Sequence, residues 1–369
     1  MVVGGGTPDT NNHKYWNGDI QWFTPSEIGR DKYVTNSLRT ISEEGLNKSS
    51  AKLLPIGTIL LSSRATVGEC SINKVECTTN QGFQSLIPKE YFSKEFVFYL
   101  MQTKRKELIR KSCGSTFLEI SANEVRKIKI AVPTSKEQEK ISKLLALLDE
   151  RISTQNKIIE DLKKLKSAIS KYLFERKDLF ENKIKLSKVA ELKNGYAFQS
   201  SKYNALGKWK ILTIANVAGE RYVKTNECNS IIEIPYDIQK HQKLESNDIL
   251  ISLTGNVGRV SLCTEGFFLL NQRVGLLQLK VSEDREYIYQ ALSSHKFENS
   301  MIACAQGAAQ MNIGKGDVEN YILPYSFNKE NINSVASVLK NYDKYIINEI
   351  NMLSMLHSQK QYLLRQMFI

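Results

Sequence analysis

The sequence predicts an α+β chain: two similar mixed α/β globular domains joined by two long helices that form an antiparallel coiled coil. Three observations predict it. The chain repeats itself at an offset of about 190 residues. Two stretches, Glu137–Lys177 and Asn328–Ile369, contain neither proline nor glycine. Apolar residues in those stretches recur at coiled-coil spacing, and one constant offset relates the two sets.

Length and composition are compatible with this. The 369 residues allow two or three domains at ~100–200 residues each. With 41% hydrophobic and 24% charged residues, the chain has a globular composition. No run approaches the ~18 apolar residues that a membrane span needs, and MVVGGGTPDT has neither the basic nor the apolar region of a secretion signal. A cytoplasmic protein without a membrane partner is expected. The six cysteines form no CxxC pair, which argues against a zinc knuckle or a disulfide scaffold. The net charge of +12 points toward a polyanion, and no segment is a polybasic tail, so a shaped surface is expected to carry it.

The elements follow in order. Residues 1–133 form the first domain, 134–183 a helical spacer, 184–325 the second domain and 326–369 a second spacer. Ile56–Ser62, Gln84–Pro88, Asp248–Leu253 and Phe267–Leu270 are short apolar or β-branched runs between Gly, Asn and Ser turns, and read as strands. Phe96–Lys111 and Tyr287–Ile302 read as helices. Pro133 and Pro324 each stand just before a long helix, and Thr134 or Ser135 offers the first of these an N-cap.

Aligning Leu53–Ser71 with Lys243–Ser261 gives seven identities in nineteen positions, including Ile59/Ile249, Leu60/Leu250, Ser62/Ser252, Val67/Val257 and Gly68/Gly258. Asn80-Gln81 then pairs with Asn271-Gln272, Gly114 with Gly307, Ile120 with Ile313 and Val125 with Val318. The seam of the first long helix is Leu145, Leu148, Ile152, Ile159, Leu162, Ile169 and Leu173. That of the second is Leu339, Tyr342, Ile346, Leu353, Leu356, Leu363 and Met367, each offset by 194. The interruptions also match, Gln155 with Glu349 and Lys166 with Lys360. Any amphipathic helix buries a stripe; two helices with one seam and the same polar breaks favour packing on each other. At 1.5 Å per residue, ~40 residues make a rod of ~60 Å. Antiparallel pairing would place the globular domains at opposite ends of it.

No catalytic constellation stands out. There is no [DNS]PP[YFW] motif; Tyr321–Tyr325 lacks the polar residue and the second proline. Gly4-Gly5-Gly6 is not a dinucleotide loop, and Gly314-Lys315-Gly316 ends in Gly where a phosphate loop needs Ser or Thr. Pro8-Asp9 is far upstream of every ExK triplet, and the four histidines lack metal-ligand spacing. No cofactor or metal is expected on this chain.

Several loops carry the residue types that contact DNA. Gly4–Trp16 supplies Thr7, Lys14 and Trp16. Ser62–Gly68 supplies Arg64 and Thr66, and its counterpart supplies Thr254, Asn256 and Arg259. Gln81, Gln272 and Arg273 follow the paired asparagines. Ser115 and Thr116 in the first repeat, and Gln306 and Gln310 in the second, lie in polar loops after helices. Arg, Asn and Gln can make bidentate base contacts, whereas Lys, Ser and backbone N–H groups favour phosphates. The same loops also read as plain turns, with Asn80-Gln81 and Asn271-Gln272 satisfying backbone groups. If the halves read different bases, shared residues are scaffold and divergent ones, such as Arg64 against Thr254 and Phe117 against Gln310, are readers.

The chain resembles the specificity (S) subunit of type I restriction–modification systems over essentially its whole length. The resemblance rests on GGGTP followed by Asp19-Ile20-Gln21-Trp22, on the IL-S----VG core in both halves, on the Asn-Gln pairs and on the proline-to-helix steps. It rests also on Leu148-Asp149, Tyr342-Asp343 and the final Gln366-Met367-Phe368. It implies two target recognition domains on double-stranded DNA, helical spacers, two methylation subunits and, for cleavage, restriction subunits. S-adenosylmethionine, ATP and Mg²⁺ would be bound by those partners. One departure is that Ile184–Leu192 precedes Lys193-Asn194-Gly195, whereas only Met1-Val2-Val3 precede Gly4. About eight residues of an opening element therefore look absent from the first repeat. Two rival readings remain: a coiled-coil scaffold with two protein-binding heads, and a stand-alone DNA modification enzyme.

If the helices are the ruler between two half-sites, deleting one heptad, Gln155–Asp161, keeps the seam in phase and removes ~10.5 Å of rod, at most ~3 base pairs. The recognised spacer should shorten by about one to three base pairs with both half-sequences unchanged. Genome-wide methylation mapping reads the outcome, and an unchanged spacer in an active deletion would place the ruler elsewhere.

Overall fold

The structure, a computed structural model, describes residues 1–114, 118–281, 284–306 and 311–368. Ser115, Thr116, Phe117 and Gln310 lie outside the described residues. The helices that matter below are α1 (Lys94–Arg110), α2 (Ser135–Glu175), α3 (Arg285–Leu292), α4 (His295–Ala305) and α5 (Lys329–Met367). The chain divides into two compact units: Met1–Gln155 with Met352–Ile369, and Asn156–Asn351. The division cuts both long helices, so each unit holds one globular part together with a segment of α2 and a segment of α5.

In the first unit, a five-stranded sheet has the order Val2–Gly4, Gln84–Leu86, Ile59–Leu61, Cys70–Asn73, Tyr33–Val34, and Arg39–Ile41, Trp16–Phe23 and Cys77–Thr79 form a second sheet. In the second unit, the order Ala190–Asn194, Val274–Leu279, Ile249–Ser252, Val260–Leu262 repeats the first four strands. Asn229–Ile231, Trp209–Leu212, Phe268–Leu270 and Lys243–Leu244 form the companion sheet. The strands are shorter than the apolar runs suggested, because the flanking Ser, Gly and Pro leave the ladder for turns. Ile59, Leu61 and Ile72 pack under α1, and Ile249, Ile251 and Val260 pack under α3 and α4. The expected single helix Tyr287–Ile302 is two helices. The Ser293 hydroxyl donates to the Gln290 carbonyl and the Ser294 hydroxyl to the Ala291 carbonyl, and these local bonds end α3 before α4 begins.

Thr134 caps α2: its carbonyl accepts from the Glu137 and Gln138 N–H groups, and its hydroxyl meets the Glu137 carboxylate at 3.1 Å. Within each unit the two long helices pair antiparallel. In the first unit, Leu148 and Ile152 cluster with Leu353, Leu356 and Leu363, and Leu145 shares a core with Leu364. In the second, Ile169 and Leu173 pack against the core containing Leu339, Val335 and Ile332. Ile159 and Ile346 are buried; Leu162, Tyr342 and Met367 are only half-buried. The Tyr342 position is notable because the neighbouring Asp343 is the buried one.

The two seam lysines pair with the aspartates of the opposite helix. Lys360 Nζ lies 2.6 Å from Asp149, and Lys166 Nζ lies 2.6 Å from Asp343. Each aspartate uses its other oxygen to hold the globular part. In the first unit, Tyr99 from α1 donates to Asp149 at 2.7 Å, and Lys32 donates to the Tyr99 hydroxyl at 3.1 Å. In the second, Gln290 from α3 donates to Asp343 at 2.7 Å and Arg221 at 2.9 Å, while the Arg221 guanidinium also forks onto Glu286. Burial pushes the Lys32 ammonium below its ordinary range, against the pull of Asp149 and Glu95. Arg221 is desolvated too, but bonds to Glu286 and the Asp343 charge outweigh that and raise it.

Among the described residues, no helix is long and apolar enough to cross a membrane.

Glu286 carries a pH dependence. Burial raises its carboxyl, and hydrogen bonds from Arg221 and Gln290 overcome this, leaving it below its ordinary 4.5. The folded state therefore binds this proton less readily than the unfolded chain, so the stabilisation is complete above that value and is lost as pH falls through the depressed one. The melting temperature of the protein should fall as pH is lowered through and below 4.5, and Glu286→Gln should flatten part of that fall while starting from a lower value. Thermal unfolding followed across this range checks it.

Candidate nucleic-acid interface

Three loops that are distant in sequence close one edge in each unit. In the first, the strand Ile59–Leu61 runs into the turn Ser62–Gly68, closed by Gly68 N–H donating to the Ser62 carbonyl at 3.0 Å. The Ser63 N–H donates to the Gly82 carbonyl at 2.8 Å, and the Ser63 carbonyl accepts from Ile120 N–H at 3.0 Å. The second unit repeats every bond: Gly258 N–H to Ser252, Leu253 N–H to Arg273, and Ile313 N–H to the Leu253 carbonyl. The expected loops around Arg64 and Gln81, and around Thr254 and Gln272, are thus neighbours, and the segments at Ile120 and Ile313 join them.

The frame of this edge is backbone geometry. A Cβ on Gly5 would stand 2.0 Å from the Asn80 carbonyl oxygen, and one on Gly195 would stand 2.1 Å from that of Asn271. Only glycine lets these strands approach so closely. Asn80 and Asn271 each accept from the N–H two residues on, at 2.9 and 3.1 Å, so the paired asparagines are turn formers. At the turn tip, Ala65 has φ +64° and Gly255 φ +73°, the same left-handed conformation in both units.

The candidate residues fall into two groups. Lys14, Thr66, Gln81, Asn256, Gln272, Arg273 and Gln306 are exposed, and Thr7 and Thr254 are half-buried. Thr7 donates to the Gln81 side-chain oxygen at 2.5 Å. Arg64 is exposed but engaged, its guanidinium 2.6 Å from Glu119; at the matching place Thr254 donates to Asn312 at 3.0 Å. Trp16 is buried, with its ring edge-on to Trp22 and its indole N–H donating to the Asp9 carbonyl. It is a core residue here, because the Arg39 guanidinium covers its face at 3.5 Å. Nothing in the primary pattern links Arg39 to Trp16, since strand pairing alone brings them together.

Arg259 has a different partner. It reaches Glu298 on α4 at 3.3 Å. At the equivalent place in the first unit, Glu69 follows Gly68 and meets Arg105 of α1 at 2.8 Å. The loop-to-helix ion pair is the same with its charges exchanged. The double change Arg259→Glu with Glu298→Arg should therefore leave the melting temperature near that of the parent. Arg259→Glu alone sets two carboxylates together and should cost about 1 kcal/mol, the upper range for a part-exposed pair. A double-mutant cycle by thermal denaturation measures this.

Similarity to known proteins bears on this arrangement. Residues 2–164 and 180–352 each match the type I restriction modification DNA specificity domain. The specificity subunit of the type I restriction enzyme MjaIX of Methanocaldococcus jannaschii is 37% identical over 185 residues. That match covers 49% of this chain and 43% of the relative, so it spans less than half of the relative's length. In fold, the chain is similar to the S subunit of the M. genitalium type I restriction–modification system, at a TM-score of 0.56 and 16% identity, covering 98% of this chain and 99% of that one. It is also similar to a chain from a structural study of complex assembly and conformational transition of the type I restriction–modification system, at a TM-score of 0.62 and 15% identity, covering 100% of this chain and 95% of that one. Two matched copies that together take up most of the sequence place this chain in the type I restriction–modification DNA specificity family.

Proposed function

We propose that the chain is a non-catalytic DNA-specificity subunit. Each globular part reads one half of a bipartite double-stranded site, while the helices set the spacing and dock two methylation subunits, with restriction subunits joining for cleavage. S-adenosylmethionine, ATP and Mg²⁺ belong to those partners, and the complex works in the cytoplasm. The observation that carries this reading is the three-loop edge built twice, on one backbone frame, with different exposed side chains on each copy.

The chemistry of the exposed residues fits the proposal. Arg64, Gln81, Thr254, Asn256, Gln272, Gln306 and Arg273 present hydroxyl, amide and guanidinium groups suited to base edges, and Lys14, Thr7 and Thr66 suit phosphates. Arg64 would have to leave Glu119 to reach a base. A scaffold with two protein-binding heads would need no such polar, cation-bearing edge.

Exchanging Thr254 and Asn256 for other polar residues should change only one half of the modified sequence, as read by methylated-adenine mapping in cells with and without the gene. A change in both halves at once would refute the assignment of one half-site to each domain. Arg273→Ala should weaken duplex binding by about 1–3 kcal/mol and relax specificity at one position of its half-site, whereas Lys14→Ala should lower the slope of log K against log salt by about one. Salt-independent binding would favour the scaffold, and methyl transfer by the purified chain alone would favour a stand-alone enzyme.

A further inference from the structure

We propose that Asp149 and Asp343 are positioning residues, each a seat that fixes the angle of its recognition domain on the helices, with Lys32 and Arg221 as the cations that latch the domains down. The proposal rests on the specificity-subunit reading given above.

The geometry has the same plan in both units. One aspartate oxygen is taken by the lysine of the facing helix, Lys360 or Lys166, each at 2.6 Å. The other oxygen accepts from the globular part: Tyr99 at 2.7 Å in one unit, Gln290 and Arg221 at 2.7 and 2.9 Å in the other. A single carboxylate therefore ties three pieces of chain, two helices and a recognition domain. The helix side of the seat is the same residue pair in both units. The domain side differs, so the seat is a shared mount and the latch belongs to the domain.

An apolar core holds the second domain against α2 and α5 through Ile169, Leu173, Val335 and Leu339, and the polar seat lies beside it. That seat borders a cleft of about 1080 Å³ lined by Lys166, Phe174, Arg221, Tyr289 and Ile346. On the cleft side of the seat, Lys166, Arg221 and Gln290 join the domain to the helices through Asp343. The latches are also unequal. Arg221, 7% exposed, forks onto Glu286 and reaches Asp343 directly. Lys32 reaches Asp149 only through the Tyr99 hydroxyl. A planar guanidinium fixes more angles than an ammonium on a flexible stem, so the second domain is the more firmly held.

The test uses the full chain assembled with its methylation subunits and duplexes carrying the mapped site with its spacer correct, one base pair longer and one shorter. Wild-type complex should prefer the correct spacer strongly; if it methylates no bipartite site, the specificity-subunit reading itself fails, whatever the variants do. Arg221→Met should cut the preference at least tenfold, chiefly by gaining activity on wrong spacers, and Arg221→Lys should restore part of it. Lys32→Met should cut it less, and Lys32→Arg should sharpen it. Asp343→Asn and Arg221→Lys serve as milder probes if Arg221→Met does not fold. Folded variants that lose activity on all spacers in equal proportion, or keep the wild-type preference, would overturn the proposal.

Discussion

A buried carboxylate between two helices constrains much of this molecule. Asp343 is 6% exposed, and a carboxylate taken out of water, at a cost of several kcal/mol, calls for partners. The partners come from different parts of the chain, a lysine on the facing helix and donors from the globular part. Sliding α5 against α2 by one turn would strand the aspartate, so the pair sets helix register. Apolar contacts such as Leu339 in the core supply cohesion without choosing among registers. A polar group inside a helical seam is known to work in this way.

The two units show which contacts the fold needs and which residues can fill them. Glu69–Arg105 in one is Arg259–Glu298 in the other, and Arg64–Glu119 becomes Thr254–Asn312. The contacts survive while sign and chemistry change. What stays constant is backbone: the close approach at Gly5 and Gly195, the asparagine turns, and the bonds from Ser63 or Leu253 to the neighbouring loops.

Much of this was legible in the sequence. The repeat, both long helices and most of the seam follow from spacing, because helical periodicity is a local signal repeated many times over. The matched breaks at Lys166 and Lys360 were visible too, and so were Asp149 and Asp343. What spacing does not show is that the lysine of one helix meets the aspartate of the other, since that depends on antiparallel register across about 180 residues of chain. The individual edge residues were harder. Trp16 looked like a surface ring until the Arg39 strand covered it, and Arg259 looked free until α4 brought up Glu298. Exposure of a loop side chain is decided by its tertiary neighbours, and local sequence is silent about those. The break at Ser293 was missed for a different reason, because serine is tolerated within helices as well as at their ends.

The turn tip at Ala65 has an evolutionary consequence. An alanine held at φ +64° gives up roughly 1–2 kcal/mol relative to a right-handed position, yet it forms the same turn as Gly255. The shape is therefore imposed by the surrounding bonds rather than chosen by the residue at the tip. A surface of this kind separates two kinds of mutation. Changes in the frame are purged as folding defects, whereas changes at the tip alter only the chemistry presented to the outside. Such a chain can drift through many tip sequences without passing through an unfolded ancestor, and its two halves can diverge at different rates.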